Sequence, residues 1–129
     1  MKEEKITSTL KVPDAQLYYE VSGDGLLLIL IPGAKGEGEV FRQVARELTA
    51  RYLVVTYDRC GFSRSKLDGP QDYDHRLDTD ADDVRRLIEH LTDKPATVFG
   101  NSSGAIIALE VISHYPEPSI PWLPTSRLQ

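Results

Sequence analysis

Ala96-Thr97-Val98-Phe99-Gly100-Asn101-Ser102-Ser103-Gly104 decides how this chain reads. A short β-branched and aromatic run ends on a G-x-S-x-G pentapeptide, and a mostly apolar stretch from Ala105 to about Tyr115 follows at once. The run predicts a buried strand and the stretch predicts a helix. So sharp a reversal leaves no room for side chains two places either side of the central residue, a demand that Gly100 and Gly104 meet. The turn then lifts Ser102 Oγ to the rim of a sheet, above helix N–H groups that favour negative charge. The competing reading of the same five residues is a plain turn in which Ser103 caps the helix.

Working outward, Leu26 to Ile31 and Tyr52 to Tyr57 are apolar runs without alternation, the pattern of strands covered on both faces. Val40, Phe41, Val44, Ala45 and Leu48 recur at helical spacing, and so do Val84, Leu87, Ile88 and Leu91, with a long polar loop ending near Asp78 before the second set. Ile6 to Val12 and Gln16 to Val21 flank the turn Pro13-Asp14-Ala15 and predict an antiparallel hairpin. After the hairpin the order is β-α-β-α-β-α. Such alternation predicts an α/β fold: a mostly parallel sheet, right-handed crossovers, and helices on both faces. Pro116, Pro118, Pro121 and Pro124 forbid helix and central strand, so residues 1–115 read as the folded domain and 116–129 as an irregular tail.

The length of 129 residues fits one hydrophobic core. Fifteen Lys plus Arg against twenty Asp plus Glu give a net charge of −5, which argues against nucleic acid as a partner. A lone cysteine, Cys60, excludes an intrachain disulfide and a multi-cysteine zinc site; no metal or cofactor is expected. No apolar run is long enough for a secretory signal or a bilayer span, so the expected setting is cytoplasmic and away from membranes.

An acyl-transfer site also needs donors for an oxyanion. The N–H of Ser103, after the candidate nucleophile, and that of Ala34, in the loop Pro32-Gly33-Ala34-Lys35-Gly36, occupy the corresponding positions. Gly33 and Lys35 are the candidates for contact with a small-molecule substrate, because small residues let it approach the main chain. Other patterns fit less well. Gly36-Glu37-Gly38 follows a strand as a dinucleotide loop would, but Phe41 stands at the third glycine and Glu37 and Glu39 would repel a pyrophosphate. Asp78, Asp80, Asp82 and Glu89 imitate a calcium loop, but Asp83 sits where glycine must turn. Cys60 beside Arg59 reads as a plain loop cysteine more simply than as a reactive thiol.

Together the hairpin, the Pro32-Gly33 loop, Tyr57-Asp58-Arg59-Cys60-Gly61-Phe62-Ser63-Arg64-Ser65 and the serine pentapeptide resemble the α/β-hydrolase superfamily in its esterase and haloperoxidase-like form, over Ile6 to about Tyr115. The third segment is similar to the family's D-x-R-G-x-G-x-S loop at Asp58, Gly61 and Ser65, with Cys60 for the usual Arg and Ser63 for the second Gly; Pro32 stands where many members have His. The resemblance implies a serine hydrolase of ester-like small substrates with Ser102 as nucleophile. It also implies a triad completed by Asp or Glu and then His on later loops.

Only 27 residues follow Ser102, and His114 lies about 18 Å along the helix at 1.5 Å per residue, out of reach of Ser102 Oγ. Glu110 and His114 read as an i,i+4 surface pair, His90 as solvated near a helix end, and His75 as the one loop histidine, in the wrong chain order. The expectation is therefore a partial domain, the N-terminal half of a hydrolase ended early by truncation, frameshift or splicing, with little or no activity of its own. Thr97-Val98-Phe99 would then be an unpaired edge inviting self-association or a partner strand. The alternative is a noncatalytic interaction module using that edge or Trp122 in the tail; a nucleotide-binding βαβ unit comes behind it.

Overall fold

Continuous apolar sequence puts Leu26 to Ile31 in the middle of a sheet, and that is where they lie. The computed structural model describes residues 5–33, 36–70 and 73–114. Its strands are β1 (Ile6–Val12), β2 (Ala15–Gly23), β3 (Leu26–Ile31), β4 (Tyr52–Tyr57), β5 (Lys66–Leu67) and β6 (Ala96–Gly100); its α-helices are α1 (Arg42–Leu48), α2 (Arg76–Leu91) and α3 (Ser103–His114). The sheet runs β1-β2-β4-β3-β6, with β5 added beside the start of β2. It is mixed: β1, β2 and β5 are antiparallel, while β3 pairs parallel with both β4 and β6.

Alternation along β3 splits the core in two. Leu27, Ile29 and Ile31 join Val55, Tyr57 and Val98 under the apolar faces of α2 (Ala81, Val84, Leu87, Ile88) and α3 (Ile107, Ala108, Val111). Leu28, Leu30 and Val54 face the other way, onto Phe41 and the flank of α1. Burial of this order stabilises by roughly 1.5–3 kcal/mol per large aliphatic side chain. No helix among the described residues is long and apolar enough to cross a membrane.

The structure corrects some boundaries. A 3-10 turn, Gly38–Phe41, precedes α1, and a second, Tyr73–His75, leads into α2. Helix α2 begins at Arg76, close to the loop end expected near Asp78. Its acidic first turns are not all solvated: Asp80 and Asp83 are buried, and Asp80 is paired with Arg59 and Arg76. The proline-rich tail, Trp122 and the side chain of His114 lie outside the described residues.

Candidate active site

Strands β3 and β6 stop at the same level, where Asn101 N–H donates to Ile31 O at 3.2 Å. Gly104 N–H then reaches Asn101 O at 2.8 Å and Ala105 N–H reaches Ser102 O at 2.9 Å, closing the turn into α3. Both glycines are sterically required. A Cβ on Gly100 would overlap the Gly104 carbonyl, and one on Gly104 would overlap Ile31 O. Between them Ser102 is exposed and holds φ at 59°, a left-handed conformation that costs a residue with a side chain on the order of 1 kcal/mol.

Ser103 opens α3, so its N–H is among the donors for which the helix has no carbonyl. Its buried Oγ has no hydrogen-bond partner, which overturns the capping role considered for it. Gly33 lies against the same corner: a Cβ there would stand 2.8 Å from Asn101 O, 3.2 Å from Ser102 Cβ and 3.6 Å from Ser103 N. The structure thus brings Gly33, Ser102 and Ser103 together. Ala34 and Lys35 lie outside the described residues.

The neighbouring loop, after β4, is organised by charge. Asp58 is fully buried and accepts from Gly38 N (2.8 Å), Arg64 N (3.0 Å) and the Arg64 guanidinium (2.7 and 3.0 Å). Ser65 Oγ donates to Asp58 O at 2.6 Å and accepts from Tyr18 N at 2.8 Å, tying the loop to β2. Arg64 also lies over the Tyr18 ring, 4.0 Å from its centroid, and bonds Glu20 at 3.1 Å. Burial pushes the Glu20 carboxyl up, but Tyr18 O–H, Lys5 and Arg64 outweigh it and hold it below its ordinary value. Gly61 (φ 84°) and Ser63 (φ 46°) are both left-handed, so Ser63 occupies a slot that suits glycine. Sequence reasoning missed the task of Arg59, whose Nη1 donates to Gly33 O at 2.7 Å.

Beneath this loop Asp83 is buried with one carboxylate oxygen unpartnered, and desolvation, reinforced by Asp80, pushes its pKa up to about 7. Cys60, which with Asp83 lines a cavity of about 160 Å³, is raised to about 11, chiefly by burial. A thiol so shifted is inert at neutral pH, in line with the plain-cysteine reading. The acids of the calcium-like pattern fall on α2, with Asp80 taken up by arginines, and the described residues contain no metal-ligating cluster. Gly36 and Gly38 face protein, Gly36 the Phe62 ring and Gly38 the Tyr57 backbone; the Gly38 N–H that a dinucleotide phosphate would need is given to Asp58. Of the histidines, His90 is exposed at the end of α2, edge-on to Tyr19 at 6.2 Å between ring centroids, and His75 ends the turn before α2.

Comparison with known proteins agrees with this architecture. A family model described as the alpha/beta hydrolase fold matches residues 27–119. The chain is 46% identical over 109 residues to the uncharacterized hydrolase YraK of Bacillus subtilis (strain 168), covering 84% of this chain and 40% of that protein. It is 34% identical over 97 residues to the magnesium-chelatase 30 kDa subunit of Rhodobacter capsulatus, covering 75% and 34%. Among solved structures it is similar to a proline iminopeptidase-related protein from Thermus thermophilus, with a TM-score of 0.76 and 31% identity over 90% of this chain and 42% of that one. The chain therefore spans about two fifths or less of the length of these relatives. With the strand-turn-helix corner, the loop after β3 and the family match in agreement, the chain belongs to the alpha/beta hydrolase fold family.

Proposed function

We propose that this chain carries the nucleophile half of a serine hydrolase acting on small ester-like substrates, with Ser102 as the nucleophile. The observation that carries the reading is the left-handed, exposed Ser102 between two sterically required glycines. A turn built only for shape would be relieved by glycine at that φ; a serine kept there under strain suits a hydroxyl that has to be presented. In the reaction Oγ bonds to the carbonyl carbon, its proton passes to a base, and the carbonyl electrons collect on oxygen. The N–H groups of Ser103 and Ala34 stabilise that oxyanion, and Gly33 and Lys35 border the acyl group. The setting is a reducing cytoplasm, where Cys60 stays a thiol.

The proton acceptor is unassigned in this chain: His75 ends the turn before α2, and His90, at the other end of that helix, lies edge-on to Tyr19. Turnover by these 129 residues alone is therefore held to the level that oxyanion stabilisation and binding support without a base, roughly 10³ to 10⁴-fold over water. The test treats the chain with a fluorophosphonate and, in parallel, with p-nitrophenyl acetate. Slow labelling confined to Ser102, at the rate that oxyanion stabilisation supports without a base, is expected with little turnover, and no labelling at Ser102 above that of the unfolded chain would remove the proposal. A noncatalytic reading rests on β6, which ends the sheet with β3 as its one strand partner among the described residues. Concentration-dependent association in sedimentation, with Ser102 unreactive, would favour it.

A further inference from the structure

The cavity of about 160 Å³ that Asp83 lines is walled by the β1–β2 turn, β5 and the first turns of α2. Pro13, Leu67 and Pro70 give it an apolar, exposed side; Cys60 and Asp83 are its buried lining. A cavity of roughly 150 Å³ takes a benzene ring, so a ligand of about five or six non-hydrogen atoms fits.

Asp83 is only 2% exposed, and its Oδ2 is fully buried with no hydrogen-bond partner. A carboxylate so placed destabilises the fold unless a donor or a cation meets it. Its neighbours do not supply one. Asp80, three places back on α2, is committed to Arg59 and Arg76, and it adds to the negative field. Arg86, three places on, lines the same cavity yet leaves Oδ2 unbonded. Asp14 and Asp82 also line it, the Tyr57 hydroxyl on β4 lies within the same field, and the Cys60 thiol is kept neutral by burial. The lining thus sets three carboxyl groups against one guanidinium.

Acid beside apolar walls suits a cation that carries a hydrocarbon body. A metal ion suits it less, because the described residues contain no metal-ligating cluster, whereas an ammonium group brings three donors and needs only one carboxylate. Its methylenes can cover Leu67 and the prolines as the stem of a lysine covers apolar surface.

We infer that this cavity binds a small primary alkylammonium ion, its charge paired with Asp83 and its chain against Pro13, Leu67 and Pro70. None of the residues at the Ser102 corner lines it, so the site stands independently of the nucleophile assignment. Binding is linked to protons. Without the ligand Asp83 keeps its proton up to about pH 7; paired with a cation it gives the proton up. An amine of the lysine kind stays charged to about pH 10, so the proton released comes from Asp83. The affinity should therefore be about tenfold weaker at pH 6 than at pH 8.

The test is calorimetric titration of the folded chain with n-butylammonium chloride, with n-butanol and calcium chloride in parallel. Saturable one-to-one binding of butylammonium is expected at pH 8, about tenfold weaker at pH 6. Proton release at pH 6 should appear as a binding heat that changes with the ionisation enthalpy of the buffer. Butanol, matched in size but uncharged, should bind at least tenfold more weakly. Asp83→Asn should lose at least tenfold in affinity at pH 8, where its urea midpoint verifies that it is folded. The inference is overturned if butylammonium does not saturate the chain, if butanol binds as well, or if folded Asp83→Asn binds unchanged. Equal affinity at pH 6 and pH 8 would overturn the pairing with Asp83, and displacement of butylammonium by equimolar calcium would show a metal site instead.

Discussion

Two loops leave adjoining parts of one sheet, and they are held by opposite means. The corner after β6 is fixed by what is missing: no side chain fits at Gly100 or Gly104, and backbone hydrogen bonds complete the turn. The loop after β4 is fixed by what is present: Asp58, Arg64, Ser65, Arg59 and Asp80 form a partly buried network of charges and hydrogen bonds. The first arrangement leaves one hydroxyl free for solvent and costs backbone strain. The second costs desolvation and makes the scaffold beneath the site responsive to charge. Four substitutions separate the two.

Asp58→Ala should have the largest effect. It leaves the Gly38 N–H without its acceptor and the Arg64 guanidinium with Glu20 alone, and losing several hydrogen bonds to a buried carboxylate costs about 3–5 kcal/mol, read as a lower urea midpoint. Asp83→Asn acts in the other direction. Because its pKa is raised from the ordinary 3.8 to about 7, the folded chain holds a proton that the unfolded chain has released. This group's contribution to stability therefore declines from about pH 4 to pH 7 and stays reduced above. The variant should remove that decline and gain as much as about 4 kcal/mol over wild type at pH 8, with no gain at pH 4. A pH-independent difference between wild type and Asp83→Asn would break the contrast between the loops.

Gly104→Ala tests the steric side. Its Cβ meets the Ile31 carbonyl, so the corner must shift at a cost of about 3 kcal/mol, equal at pH 5 and pH 8. The smallest effect carries the sharpest meaning. Ser102→Gly should raise stability by about 1 kcal/mol, because glycine relieves φ 59°, while it abolishes labelling. A destabilised Ser102→Gly would show that the serine contributes to folding rather than being strained.

The legible and illegible parts of this molecule divide along the same line. Strands β3, β4 and β6 and the glycine corner could be read because apolar runs and steric absence are local signals. The burial of Asp80 and Asp83 on α2 could not, because charge there argues for solvent. Arg59 was unreadable for a different reason: its partners, Gly33 and Asp80, lie 26 and 21 positions away, and only the folded chain assembles them. The D-x-R-G-x-G-x-S resemblance located the loop without revealing that Asp58 and Arg64 serve as its frame.

The most direct measurement compares Ser102 with its neighbour Ser103 by peptide mapping after fluorophosphonate treatment, in native chain and in urea. The account predicts modification confined to Ser102, in the native state alone, and lost in Ser102→Ala. Modification spread over both serines, or equal in native and unfolded chain, would show that the corner presents no special hydroxyl and would contradict it.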